Sequence, residues 1–103
     1  MKLQIRQAGD EDLSQVLALY AQPGLDDGQL LELERAREIL AEFARYPSYR
    51  LFVACDEQEP QRVLGSYALL VMHNLAHLGT PSAIVEDVVV DATHRSQGIG
   101  RQM

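Results

Sequence analysis

The sequence predicts an α/β fold in which a mixed, largely antiparallel sheet is flanked by helices, and three observations carry that expectation. Period-two alternation opens the chain at Lys2 to Ala8, two amphipathic helical stripes follow between Asp10 and Tyr46, and three strand-like runs occupy Arg50 to Asp91. The resulting order, β-α-α-β-β-β, runs into a glycine-containing loop and the first residues of a further helix. At 103 residues and 47% hydrophobic content, the chain has room for one domain, residues 1–103, with a buried core.

In the first strand Leu3 and Ile5 share one face, and Lys2, Gln4 and Arg6 the other. Gly9-Asp10 breaks the alternation. Asp10 is then expected to cap a helix whose apolar residues Leu13, Val16, Leu17 and Tyr20 recur at intervals of three and four. Glu11 and Asp12 fall in its first turn, where the helix dipole favours acids. Pro23-Gly24 closes it. After Asp26-Asp27-Gly28, a second stripe of Leu30, Leu33, Ala36, Ile39 or Leu40, and Phe43 opposes a wet face of Glu34, Arg37, Glu38 and Glu42, stopping near Tyr46-Pro47.

Arg50 to Cys55 is a short run of strand formers, and Asp56 to Pro60 a charged turn, so a hairpin follows. Arg62 to Met72 is apolar enough to be a central strand, with Gly65 marking a bulge or a close backbone approach. His73 to Ser82, with Asn74, Gly79, Thr80 and Pro81, reads as a loop. Ala83 to Asp91 is the last strand, with Ile84, Val85, Val88, Val89 and Val90 around the polar pair Glu86-Asp87; alternation sends those two carboxylates to opposite faces.

Charge removes one class of function. The chain carries 15 acids and 9 bases, and nine of the acids against only Arg35 and Arg37 fall between Asp10 and Glu42. With a single Lys and no basic cluster, nothing would release counterions from a polyanion, so no nucleic-acid partner is expected. The acidic half either draws in a cationic substrate or is simply a solvated helix surface. The longest apolar run, Ser66 to Met72, is far short of the roughly 18 residues that span a bilayer. No membrane association is expected, and a lone Cys55 agrees with a cytoplasmic location. His73 and His77 are four apart but sit in a loop without a third ligand, so no metal site is expected.

The chemistry concentrates in Arg95-Ser96-Gln97-Gly98-Ile99-Gly100. This segment follows a strand and precedes helix formers, the outline of an anion site in which glycines admit a phosphate to backbone N–H groups. An ordinary turn has the same composition. The run Val85 to Gly100 resembles the acyl-CoA-binding motif of the GNAT N-acetyltransferase superfamily, Gln/Arg-x-x-Gly-x-Gly/Ala, with matches at Arg95, Gly98 and Gly100. The element order is also similar to that family's N-terminal portion.

The resemblance implies a set of roles. Backbone amides of Gln97, Gly98, Ile99, Gly100 and Arg101, in the loop that Arg95 and Ser96 begin, would hold the pyrophosphate of acetyl-CoA. Val88, Val89 and Val90 would pair with its pantetheine arm as an added strand, one N–H near Val89 serving the thioester carbonyl as an oxyanion donor. Glu86 would be the general base for the substrate amine, of a small molecule or a peptide. Each has another reading: valines suit any buried strand, Glu86 could pair with an Arg or face solvent, and Arg95 could cap a helix or bridge to Asp91. With no activated Cys or Ser nucleophile evident, acetyl transfer would go directly to the amine. The competing function is a non-catalytic coenzyme A-binding or interaction module.

The last helix has less than one turn after Gly100, and the last strand would leave a valine-rich edge uncovered. The expectation is therefore a fold incomplete at its C-terminus, truncated or completed by a partner chain, with a homodimer as one such arrangement.

Overall fold

The structure, a computed structural model, describes residues 1–103 except the side chain of Ser96. Its strands are β1 (Leu3–Gln7), β2 (Tyr49–Asp56), β3 (Glu59–Met72) and β4 (Ser82–Val90), and its helices α1 (Leu13–Tyr20), α2 (Leu33–Phe43) and α3 (Ile99–Gln102). The sheet order is β1-β2-β3-β4, every neighbour antiparallel, so the mixed α/β expectation holds and β3 is central as its apolarity predicted. No helix among the described residues is long and apolar enough to cross a membrane.

The helices divide the two faces of the sheet unequally. On one face Leu13, Val16, Leu17 and Leu19 of α1 and Ala36 of α2 pack on Leu51, Val53, Cys55, Val63, Ala68 and Val89. At about 25 cal/mol per Å² of apolar area removed from water, this cluster is the main source of stability. The other face is covered at one end, where Ile99 and Met103 close over Ala54, Leu64 and Val90. Farther along that face Phe52 and Tyr67 stack across β2 and β3 at 5.4 Å.

Local chemistry adjusts several boundaries. The first helix starts as a 3-10 turn at Asp10–Asp12 with Gly9, not Asp10, as its cap residue, because the Asp12 carboxylate accepts the Gly9 N–H at 2.8 Å. The second stripe begins at Leu33, and Leu30 and Leu31 lie outside the helix, exposed. The turn between β2 and β3 narrows to Glu57-Gln58, with Asp56 Oδ1 accepting the Gln58 N–H at 2.9 Å.

Gly65 fulfils both halves of its expectation. The pairing of β2 with β3 shifts register between Ala54 and Cys55, leaving Leu64 as the bulged residue. A side chain on Gly65 would stand 2.7 Å from Met103 Sδ and 3.1 Å from the Val89 carbonyl oxygen. Only hydrogen lets the end of the chain and β4 close over this point.

Candidate functional site

A second bulge shapes β4. Ser66 faces Val89 and Ala68 faces Glu86, so Tyr67 alone stands opposite both Asp87 and Val88. Asp87 absorbs the extra residue with φ +54°, in the left-handed region that few non-glycine residues adopt. Pairing past Ala68 resumes only at Val89, so the extra residue falls between Glu86 and Val89. Glu86 stands across from the core residue Ala68 and shares its face toward the helices. The charge of Asp87 is the second cause, after burial, that raises the phenol pKa of both Tyr20 and Tyr49. For Tyr20 the value is pushed up to about 12, opposed by the hydroxyl of Ser66 beside it. Glu86 adds to the effect on Tyr49. Nothing in the sequence separated Tyr20 and Tyr49 from Tyr46 and Tyr67.

β4 is an edge strand, and Ile84, Val85 and Val88 are exposed along it. The orientation of its last residues follows from one hydrogen bond. The Asp91 N–H turns inward to the Leu64 carbonyl at 2.8 Å. Successive residues of a strand present their backbone groups to opposite sides, so the Val90 N–H and C=O turn outward, to the edge no strand covers. The side chains that reach the Val90 carbonyl agree: Gln22 Nε2 donates to it at 3.1 Å and Arg95 Nε at 3.4 Å.

Beside that edge lies a cleft of about 400 Å³, walled by Leu19, Gln22, Pro23, Gly24 and Leu25 on one side and by Val88, Val89, Val90 and Arg95 on the other. Four of the residues named from sequence thus meet in one place. Gln22, which sequence reasoning passed over, joins the two walls. Besides donating to Val90, its Oε1 accepts the Ala92 N–H at 2.7 Å, and Nε2 also donates to the Leu19 carbonyl at 3.1 Å.

Beyond the cleft the chain makes a 3-10 segment, Ala92–Gln97, before α3. Asp91 caps it, accepting from Thr93 N at 2.8 Å and Thr93 Oγ1 at 2.7 Å, with His94 Nδ1 at 3.5 Å. These partners, the Thr93 hydroxyl first, hold the Asp91 carboxyl below the usual carboxylate range. His94, not Arg95, is thus the basic partner of Asp91. Gly98 takes φ +76° and swings the chain into α3, where Ile99 is buried and Gly100 and Arg101 are exposed. Among the described residues, no backbone carbonyl outside these turns takes an N–H of Gln97, Gly98, Ile99, Gly100 or Arg101. The expectation placed on Ser96 falls, for its side chain, outside the described residues. Glu86 is exposed and lies outside the cleft. Among the described residues no group of three His, Cys, Asp or Glu is arranged to hold a metal ion.

This arrangement has counterparts. A crystal structure of a transcriptional regulator from Bacillus halodurans C-125 is similar at a TM-score of 0.79 and 25% identity, over 98% of this chain and 68% of its own. That of a Trypanosoma brucei acetyltransferase is similar at a TM-score of 0.76 and 27% identity, over 98% and 68%. Glucosamine-6-phosphate N-acetyltransferase from Arabidopsis thaliana, 18% identical, shares the fold at a TM-score of 0.65, over 99% and 69%. The chain therefore spans about two thirds of the length of these proteins. A comparison with curated protein sequences returned no match. The model of the acetyltransferase (GNAT) family matches residues 13–103, taking in all three α-helices, β2 to β4 and the glycine turn. This chain belongs to the GNAT acetyltransferase family.

Proposed function

We propose that the chain takes part in N-acetylation, with acetyl-CoA as donor and a primary amine, of a small molecule or a peptide, as acceptor. Family members use acetyl-CoA. The single observation that carries the reading is the outward edge at the end of β4: a backbone donor on Val90 and an open cleft beside it, running directly into a glycine turn whose N–H groups are free of outside backbone partners. An amide-bearing arm can add to such an edge as a strand would, and a diphosphate can approach N–H groups where Gly98 and Gly100 carry no side chain.

When bound, acetyl-CoA supplies an activated acyl group. The chain's residues do the rest. Val88 to Val90 orient the arm, and an N–H of that segment faces the thioester carbonyl where negative charge grows. Gln97 to Arg101 neutralise the diphosphate through backbone donors. Glu86 takes the proton that the acceptor ammonium must lose before its nitrogen can attack the carbonyl carbon; as the N–C bond forms and the C–S bond breaks, the second nitrogen proton passes to the departing sulfur, which leaves as coenzyme A thiol.

The exposure of Glu86, outside the cleft, favours a second reading: coenzyme A binding without turnover. Two measurements test both. Calorimetric titration with acetyl-CoA is expected to give saturable heat, and its absence at millimolar ligand overturns both readings. Release of coenzyme A thiol with a panel of amines is expected under the first reading alone.

A further inference from the structure

The three hydrogen bonds of Gln22 suit a task beyond closing a turn. Its carboxamide donates to the carbonyl of Val90, the last residue of β4, and accepts the N–H of Ala92, two residues on at the start of the 3-10 segment. A neighbouring strand would engage that same pair. Gln22 thus behaves as a single residue of a neighbouring strand, delivered by a side chain from just beyond α1, some seventy positions away in sequence. Its third bond, to Leu19, ties the carboxamide to the end of that helix.

We propose that Gln22 is a positioning residue that sets the register of the acyl donor on β4; this rests on the reading of the cleft as the acetyl-CoA site. With the Val90 carbonyl and the Ala92 N–H already engaged, an arm adding to this edge is left the Val90 N–H and the backbone of Val88. It cannot slide toward the glycine turn. The thioester is thereby held at one place along the strand, beside the bulge at Asp87 and Val88. Arg95, at 3.4 Å from the same carbonyl, is the weaker of the two contacts and does not reach Ala92.

Two substitutions separate positioning from folding. Gln22→Met keeps the length of the side chain and removes the bonds to Val90 and Ala92; Gln22→Glu keeps the acceptor for Ala92 N–H and loses the donor for Val90. Amide hydrogen exchange without nucleotide reads the clamp: the Ala92 amide is expected to exchange faster in Gln22→Met and to stay protected in Gln22→Glu. Calorimetry with acetyl-CoA reads the consequence. Losing the fixed register removes preorganisation of the edge and is expected to raise the Kd about tenfold in Gln22→Met. If wild type shows no heat with acetyl-CoA, the reading of the cleft itself is wrong. If wild type binds and Gln22→Met binds equally well although its Ala92 amide is deprotected, the cleft stands and the register role is overturned. Unchanged exchange at Ala92 in Gln22→Met also overturns it.

Discussion

Arg6 and Asp12 form a two-pronged ion pair, Nη1 to Oδ2 at 2.7 Å and Nη2 to Oδ1 at 2.8 Å, that ties β1 to the first turn before α1. The Asp12 carboxylate is almost wholly buried, and its remaining capacity accepts the Gly9 N–H. Replacing Asp12 by Ala strands a guanidinium and an amide together. Because Arg6 keeps partial exposure, the loss falls at the lower end of that for a broken buried pair, about 2–3 kcal/mol. Urea unfolding of Asp12→Ala measures it. The Arg6 hydrogen bonds hold the Asp12 carboxyl below its ordinary pKa, so the unfolded chain binds the proton first as pH falls. The contribution is present above the ordinary Asp range and is lost as pH drops through the folded value, so the mutational difference shrinks in acid.

The opposite sign holds for Tyr20. Burial and the Asp87 charge raise its phenol from the ordinary 10.0 to about 12, so above 10.0 the folded chain keeps a proton that the unfolded chain releases. Stability therefore falls as pH rises from 10.0 toward 12. Asp87→Asn removes the second of the causes and should lower the pH at which tyrosinate absorbance develops, while Tyr20→Phe removes that titration altogether. A titration unmoved by Asp87→Asn would separate Asp87 from Tyr20.

Periodicity made the architecture legible, and irregularity hid the detail of the site. Apolar spacing located four strands and two helices, since burial of one face is what imposes a period on the chain. The bulge at Asp87 left no such mark, because any of several polar residues can take the left-handed conformation and alternation on either side continues undisturbed. Asp12 looked like one more solvated acid; its burial depends on Arg6 arriving from β1, which helix propensity does not register. Gln22 was hidden for a related reason. A polar residue after a helix is unremarkable until the fold brings Val90 and Ala92 beside it. The glycine turn was visible because left-handed backbone narrows the choice of residue, and Gly98 at φ +76° is such a position.

Glu86→Gln tests the proposed base with little structural interference. The side chain is exposed, and among the described residues it makes no salt bridge or side-chain hydrogen bond, so the melting temperature should be unchanged. Acetyl-CoA binding should also be unchanged, because Glu86 lies outside the cleft. Turnover should fall on the order of a hundredfold, the usual worth of a general base. Equal rates for Glu86→Gln and wild type would move the proton transfer to another group, the neighbouring carboxylate of Asp87 being the first to test.

The two glycines of the turn should respond differently to alanine. A Cβ on Gly100 would meet only Val90 Cγ2, at the ordinary contact distance of 3.8 Å, and no positive φ is demanded there. Gly100→Ala should therefore keep wild-type stability, and keep acetyl-CoA affinity as well, since the family motif this segment resembles admits Ala at that place. At Gly98 a Cβ would find open space, yet the backbone sits at φ +76°. Gly98→Ala has nothing to clash with in the folded chain and still costs about 1–2 kcal/mol for holding an L-residue in the left-handed region. The variant can escape that cost only by rotating Gly98 out of its conformation, which would turn the N–H groups of Ile99 and Gly100 away from their present direction. Loss of acetyl-CoA heat in Gly98→Ala, with binding intact in Gly100→Ala, would locate the diphosphate contact in the backbone that Gly98 orients. Equal binding by both variants would remove the turn from the site.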